Sequence, residues 1–140
     1  HIYFYLMSPL QKCIFNKDKS IKPIWLMRQA GRYLPEFRKI RQKNKNFVSL
    51  CLNKKLVPKI TLQPIKRFNL DSAIIFSDIL MVPFALGQEV EFVKNMGPRL
   101  GELDLKLLTN DNKNCFIKKL QPVYEAIHIT RKKLNKSYST

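Results

Sequence analysis

The sequence predicts an α/β fold, and three stretches carry that prediction. Pro23-Ile-Trp-Leu-Met27 and Ala73-Ile-Ile-Phe76 are short, unbroken apolar runs, the pattern of strands buried on both faces in a parallel sheet. From Phe116 to Leu134 the period changes: Phe116, Ile117, Leu120, Val123, Tyr124, Ile127 and Leu134 share one face of a helix. Arg131, Lys132 and Lys133 crowd its C-terminal end, where the helix dipole favours cations. At 140 residues the chain is long enough for one domain with a real core and too short for two.

Taken in order, Leu10, Cys13 and Ile14 give a short amphipathic helix within Ser8–Asn16, and a polar connector follows to Ser20. After the first apolar run, Pro35 and Glu36 open a second helix, since proline is tolerated in a first turn and an acid suits the positive end of the dipole. Phe37, Ile40 and Arg41 form its inner face. Phe47, Leu50 and Cys51 mark a third helical stretch ending near Leu52. Asn53 is placed to cap a further helix running to Phe68, with Pro58 and Pro64 predicting a kink or an interrupted start. Beyond the second apolar run, Pro83 to Gly87 breaks the pattern, Glu89–Val93 alternates like a half-exposed strand, and Gly97-Pro98 closes it with turn chemistry. Leu100 to Lys113 carries no clear pattern. On the last helix, Tyr124 is expected in the core and His128 as a partly buried structural histidine.

Composition narrows the function classes. A hydrophobic fraction of 45% with 11% aromatics belongs to globular proteins. The net charge of +16 invites a nucleic-acid reading, but the excess is mostly lysine spread from Lys12 to Lys136 among many asparagines, without an aromatic-and-arginine RNA-binding module. Specific nucleic-acid binding is therefore not expected. Cys13, Cys51 and Cys115 stand far apart, and the only histidines are His1 and His128, so no metal site of the usual spacing is expected. The cysteines read as small buried apolar residues of a reducing compartment. No apolar run approaches the ~20 residues of a membrane span. His1–Met7 is apolar but lacks the features of a secretory signal. Met7-Ser-Pro resembles a natural start, so residues 1–7 are expected to be a non-core extension, and the expected address is the cytoplasm.

Two polar clusters follow the two apolar runs. Arg28 and Arg32 are separated only by Gln29, Ala30 and Gly31 where the first run ends. Such a pair either decorates a solvated turn or forks onto planar carboxylates or phosphates, each guanidinium donating two parallel hydrogen bonds. Asp78 follows the second run. At the C-terminal end of a buried strand a carboxylate is placed for barrel chemistry, and equally to cap the helix that follows.

The run Met-Arg-Gln-Ala-Gly-Arg-Tyr-Leu-Pro-Glu, residues 27–36, resembles the N-terminal substrate loop of the uroporphyrinogen decarboxylases, and Ile-Ile-Phe-Ser-Asp-Ile-Leu, residues 74–80, is similar to their second substrate-site element. The order and spacing are family-like, and the resemblance extends from about Leu10 to Leu134. Pro58, where the family usually has a good helix former, and Asn95, where it commonly has glycine, depart from the pattern.

The resemblance implies a (β/α)8 TIM barrel, which takes about 250 residues, so residues 8–140 are expected to be the N-terminal part of such a domain, incomplete in this chain. It implies removal of carbon dioxide from the four acetate side chains of uroporphyrinogen III to give coproporphyrinogen III, without metal or organic cofactor, in an enzyme that is typically a homodimer. Arg28 and Arg32 match the arginines that hold substrate carboxylates, and Gln29, Ala30 and Gly31 the loop whose backbone approaches the substrate. Asp78 matches the carboxylate that accepts hydrogen bonds from pyrrole N–H groups. Arg41 matches a further arginine counted with the site in some members. Asp78 and Arg28 are the catalytic candidates, and the family's tyrosine, serine and histidine would lie outside these residues. Other readings are a corrinoid-linked methyltransferase of the same superfamily, a basic nucleic-acid-binding protein, and an inactive remnant of the decarboxylase.

Overall fold

The computed structural model describes residues 7–93, 96–108 and 113–137, and among them are six α-helices, a short 3-10 helix at Leu105–Leu108 and one β-hairpin. Helix α1, Pro9–Phe15, begins where sequence places it. The Ser8 hydroxyl accepts the Gln11 N–H at 3.3 Å while the Gln11 side chain accepts the Ser8 N–H at 2.8 Å, a reciprocal capping box.

The body is built by α2 (Pro35–Lys43), α3 (Phe47–Cys51), α4 (Leu56–Phe68), α5 (Met81–Ala85) and α6 (Lys113–Ser137). Leu34, Phe37, Leu50 and Ile60 form one buried cluster, and Cys51, Met81, Ala85 and Leu120 a second. Phe76 packs against both, with its ring centroid 5.6 Å from Phe37 and 5.9 Å from Phe47, each pair edge to face. The bidentate Glu36–Arg67 pair, at 2.9 Å on both contacts, ties α2 to α4, and Lys54 meets Glu125 of α6 at 2.6 Å.

Asn53 caps α4 from a distance: its side-chain oxygen accepts the N–H groups of Lys55 and Leu56, both at 3.0 Å. The helix starts at Leu56, so Pro58 falls in the first turn, where a missing N–H costs no hydrogen bond. Pro64 lies inside the helix, which runs through it and ends at Asn69 in the left-handed conformation, φ 50°.

The expected parallel strands are the main correction. Among the described residues the single sheet is antiparallel, β1 (Val90–Val93) with β2 (Gly97–Leu100), in the register Val90↔Leu100 to Val93↔Gly97. Residues 23–26 and 73–76 carry no regular secondary structure, Met27 is a bend, and none of them belongs to a sheet. They still lie side by side: the Asp71 N–H donates to the Ile24 carbonyl at 3.0 Å, and the Ile24 N–H to the Asp71 carboxylate at 2.7 Å. Side chains take the places that a strand neighbour would fill. Gln29 Oε1 accepts the Ile74 N–H at 2.8 Å and Thr61 Oγ1 accepts the Phe76 N–H at 2.9 Å, and N–H groups two residues apart point to the same edge of an extended segment.

Smaller corrections follow from the same packing. Gly97-Pro98 is the start of a second strand, β2, and not the turn that closes the first; Asn95 lies outside the described residues. Gly101 abuts the strand pair so closely that a Cβ would stand 2.9 Å from that of Glu89, which only glycine allows. On α6 the buried face is Leu120, Ala126 and Thr130, the Thr130 hydroxyl donating to the Ala126 carbonyl at 2.7 Å. Tyr124 and His128 are exposed, contrary to expectation, because the helix is rotated away from the face that the apolar residues alone define. Of the cysteines only Cys51 is buried; Cys13 is half-buried and Cys115 exposed. No helix among the described residues is long and apolar enough to cross a membrane.

Candidate functional site

The loop from Arg28 to Leu34 is held from within. Gln29, only 3% exposed, turns its side chain inward, donating from Nε2 to the Ser72 carbonyl at 2.7 Å while its Oε1 receives the Ile74 N–H. The Tyr33 hydroxyl donates to the Gln29 carbonyl, and the Leu34 N–H to the Gly31 carbonyl at 3.1 Å. Arg38, one turn into α2, donates to the carbonyls of Arg32 at 2.8 Å and Tyr33 at 3.3 Å. Leu34 is buried beneath the loop and Ala30 packs on the same cluster. Sequence reasoning did not single out Tyr33 or Arg38 as parts of this frame. Their signal is a hydroxyl or guanidinium at short separation from a turn that leaves carbonyls without ladder partners.

Arg28 and Arg32 point the other way. Both are exposed, and neither guanidinium has a hydrogen bond or ion pair among the described residues. Gly31 is half-buried, with Tyr33 ring carbons 3.5 and 3.6 Å from where a Cβ would sit. A Cβ at this position would meet that ring at ordinary van der Waals distance. Of the loop residues expected at a ligand, Gln29 thus offers backbone and not its amide.

Asp78 is half-buried just ahead of α5. Its Oδ1 accepts the Leu80 N–H at 2.9 Å and its carbonyl the Met81 N–H at 3.1 Å, so the carboxylate closes the turn ahead of α5 without capping the helix itself. That one carboxylate bond leaves Oδ2 for another donor among the described residues. Arg41 is engaged locally: it donates to the carbonyls of Asn44 at 2.5 Å and Lys45 at 2.7 Å and lies over the Phe47 ring, 5.5 Å from its centroid. Burial first, then the Asp78 carboxylate, push the Cys51 thiol up to about 12, while Arg41 pulls it down. The structure frames Arg28 and Arg32 on one loop, with Gln29 bonded to the segment that leads to Asp78. Among the described residues no three His, Cys, Asp or Glu side chains group as metal ligands.

Fold and site define a mixed α/β protein that presents two free guanidiniums on a pinned loop beside a segment ending in a carboxylate. A profile described as "Uroporphyrinogen decarboxylase (URO-D)" matches residues 7–139, and the chain belongs to that family. Curated relatives named uroporphyrinogen decarboxylase include that of Rickettsia canadensis, 47% identical over 133 residues, covering 92% of this chain and 37% of the relative. The protein of Rickettsia bellii is 52% identical over 138 residues, 96% of this chain and 38% of the relative. That of Orientia tsutsugamushi is 44% identical over 137 residues, with 95% and 39% covered. The chain spans a little over a third of the length of these relatives.

Proposed function

We propose that this chain supplies the arginine loop and the aspartate of a uroporphyrinogen decarboxylase, acting on the four acetate side chains of uroporphyrinogen III. The observation that carries the reading is the exposed, unpartnered pair Arg28 and Arg32 on a loop whose backbone is tied down, in a chain of that family. Guanidiniums suit carboxylates because each forms two parallel charge-assisted bonds. Ala30 and Gly31 leave the backbone between them open to close approach. Asp78 is the acceptor for pyrrole N–H groups through its Oδ2, with Arg28 beside the reacting acetate. Arg41 supports the Asn44–Lys45 loop and reaches the substrate only if that loop opens.

The chemistry needs a home for the electron pair of the breaking C–C bond. A pyrrole protonated on a ring carbon accepts that pair as carbon dioxide leaves; a proton added to the side-chain carbon makes the methyl group, and loss of the ring-carbon proton restores the pyrrole. Asp78 favours the cationic ring by a fixed negative charge already in place, the preorganised electrostatics of oxyanion holes with the sign reversed. A guanidinium holds its proton too tightly to be a good donor, so Arg28 orients and neutralises. The reaction as drawn uses no metal or organic cofactor.

The wider assembly proposed is a (β/α)8 barrel acting as a homodimer in the cytoplasm. Residues 24–29 and 71–76 support the barrel, since Ile24 meets Asp71 and Gln29 meets Ser72 and Ile74, the order expected of neighbouring parallel strands. The test is the natural protein, at whatever length its gene encodes, assayed with uroporphyrinogen for coproporphyrinogen formation. Arg28→Lys keeps the charge and loses the fork, and turnover per unit substrate is expected to fall at least about tenfold. A parent without turnover, or a lysine variant within twofold of it, would falsify the assignment.

A further inference from the structure

We infer that Gln29 is a positioning residue whose carboxamide locks the arginine loop to the segment leading to Asp78, so that Arg28 and Arg32 meet a polycarboxylate ligand as a preset pair. This rests on the functional reading above. Gln29 sits between two exposed cations yet is itself 3% exposed, and both halves of its amide are used on one neighbour. The donor meets the Ser72 carbonyl at 2.7 Å and the acceptor the Ile74 N–H at 2.8 Å. Only an uncharged group with one donor and one acceptor on the same plane satisfies both. Glutamate offers the acceptor alone, and methionine, of similar length, offers neither.

The loop is fastened a second time at its far end, where Arg38 holds the Arg32 and Tyr33 carbonyls. Two guanidiniums on an untethered turn would have to be ordered by the ligand, and that ordering subtracts from affinity. With Gln29 in place the backbone order is already present, and the ligand fixes only side-chain rotamers.

Thr61 is the internal comparison. It is fully buried and makes an equivalent bond to the same segment, two residues further on at Phe76, but has no hydrogen bond to the loop among the described residues. A merely structural contribution from Gln29 therefore predicts the same behaviour from both sites, and a positioning role predicts different behaviour.

The experiment measures KM and kcat with uroporphyrinogen, the dissociation constant for uroporphyrin as a stable octacarboxylate, and Tm, in the natural protein. The variants are Gln29→Met, Gln29→Glu and Thr61→Val. Gln29→Met is expected to raise KM and the uroporphyrin dissociation constant about tenfold with kcat changed less than about threefold. Thr61→Val is expected to lower Tm as much while affinity stays within about twofold. Should Gln29→Met fail to fold, Gln29→Glu retains the Ile74 bond, and its affinity is expected to fall while it remains soluble. Unchanged affinity in a folded Gln29 variant, or equal losses of affinity in Gln29→Met and Thr61→Val, overturns the inference alone. A parent that neither binds uroporphyrin nor turns over overturns the functional reading, and this one with it.

Discussion

Ile24–Met27 leaves Trp25 48% and Met27 77% exposed, whereas Ala73–Phe76 is half-buried throughout and brings Phe76 against the rings of both Phe37 and Phe47. The two segments have similar composition and lie against each other. What differs is the number of neighbours. The first has the second beside it and little else. The second has the first on one edge, Thr61 of α4 on its backbone and Phe47 of α3 on its side chains. An apolar run raises the value of being covered, by roughly 25 cal/mol for each Å² removed from water, but does not supply the cover.

The sharpest way to break the comparison is at Asp78, where the better-packed segment ends. Asp78→Asn keeps the shape and one acceptor while removing the charge. Turnover with uroporphyrinogen is expected to fall about a hundredfold, near 2.7 kcal/mol in the barrier, with KM moved by less than about threefold. A loss of affinity with turnover intact would assign Asp78 a purely positional role.

Stability separates the two segments next. In the 140-residue chain Phe76→Ala is expected to cost about 2–3 kcal/mol, below the about 3–5 of a fully buried phenylalanine. Trp25→Ser and Met27→Ser should each change stability by less than about 0.5 kcal/mol and reduce light scattering, because the exposed run makes this chain prone to aggregate by itself. Urea titration and scattering on the same samples measure both. Equal costs at positions 25 and 76 would mean that Trp25 is covered in solution.

Thiol chemistry probes the floor beneath the second segment. Cys115 should alkylate first and Cys51, with its thiol pushed up to about 12 by burial and Asp78, last. Peptide mass spectrometry at pH 8 is expected to show a rate gap above about a hundredfold. A rapid reaction at Cys51 would show that α3 and α5 part readily there.

The smallest effect is expected at the Glu36–Arg67 pair. The Arg67 hydrogen bond holds the Glu36 carboxyl below its ordinary value of 4.5. Its stabilisation is therefore present above that pH and lost as pH falls through the lower, folded value. Thermal melts from pH 7 to pH 3 should show a slightly flatter acid limb in Glu36→Gln, slight because both side chains remain substantially exposed.

Much of this was legible in the residues, for identifiable reasons. Pro35 with Glu36, and Asn53, announced helix starts through first-turn and capping chemistry that needs only local sequence. Residues 27–36 and 74–80 pointed to the family through motifs longer than chance supplies. Residues 23–27 and 73–76 lie beside each other but form no sheet among the described residues, because a sheet is made of neighbours, and an apolar run cannot say whether a strand or a side chain such as Gln29 or Thr61 takes its N–H groups. Tyr124 and His128 were placed inside because helical periodicity fixes a face only to within a residue or so, and Ala126 and Thr130 took that face instead. The inward amide of Gln29 had no signature at all, lying between two outward arginines.

The exposed run Ile24–Met27 is bracketed by Lys22 and Arg28. Charges at the ends of an apolar segment act as gatekeepers, since stacking copies of the segment would also stack like charges. Arg28 thus serves the chain before any ligand arrives, while the newly made polypeptide is still vulnerable to self-association. An uncharged replacement at this position would show its first consequence in proteostasis, as a lower yield of soluble protein, and part of any activity lost in a crude extract would be protein that never survived to be assayed.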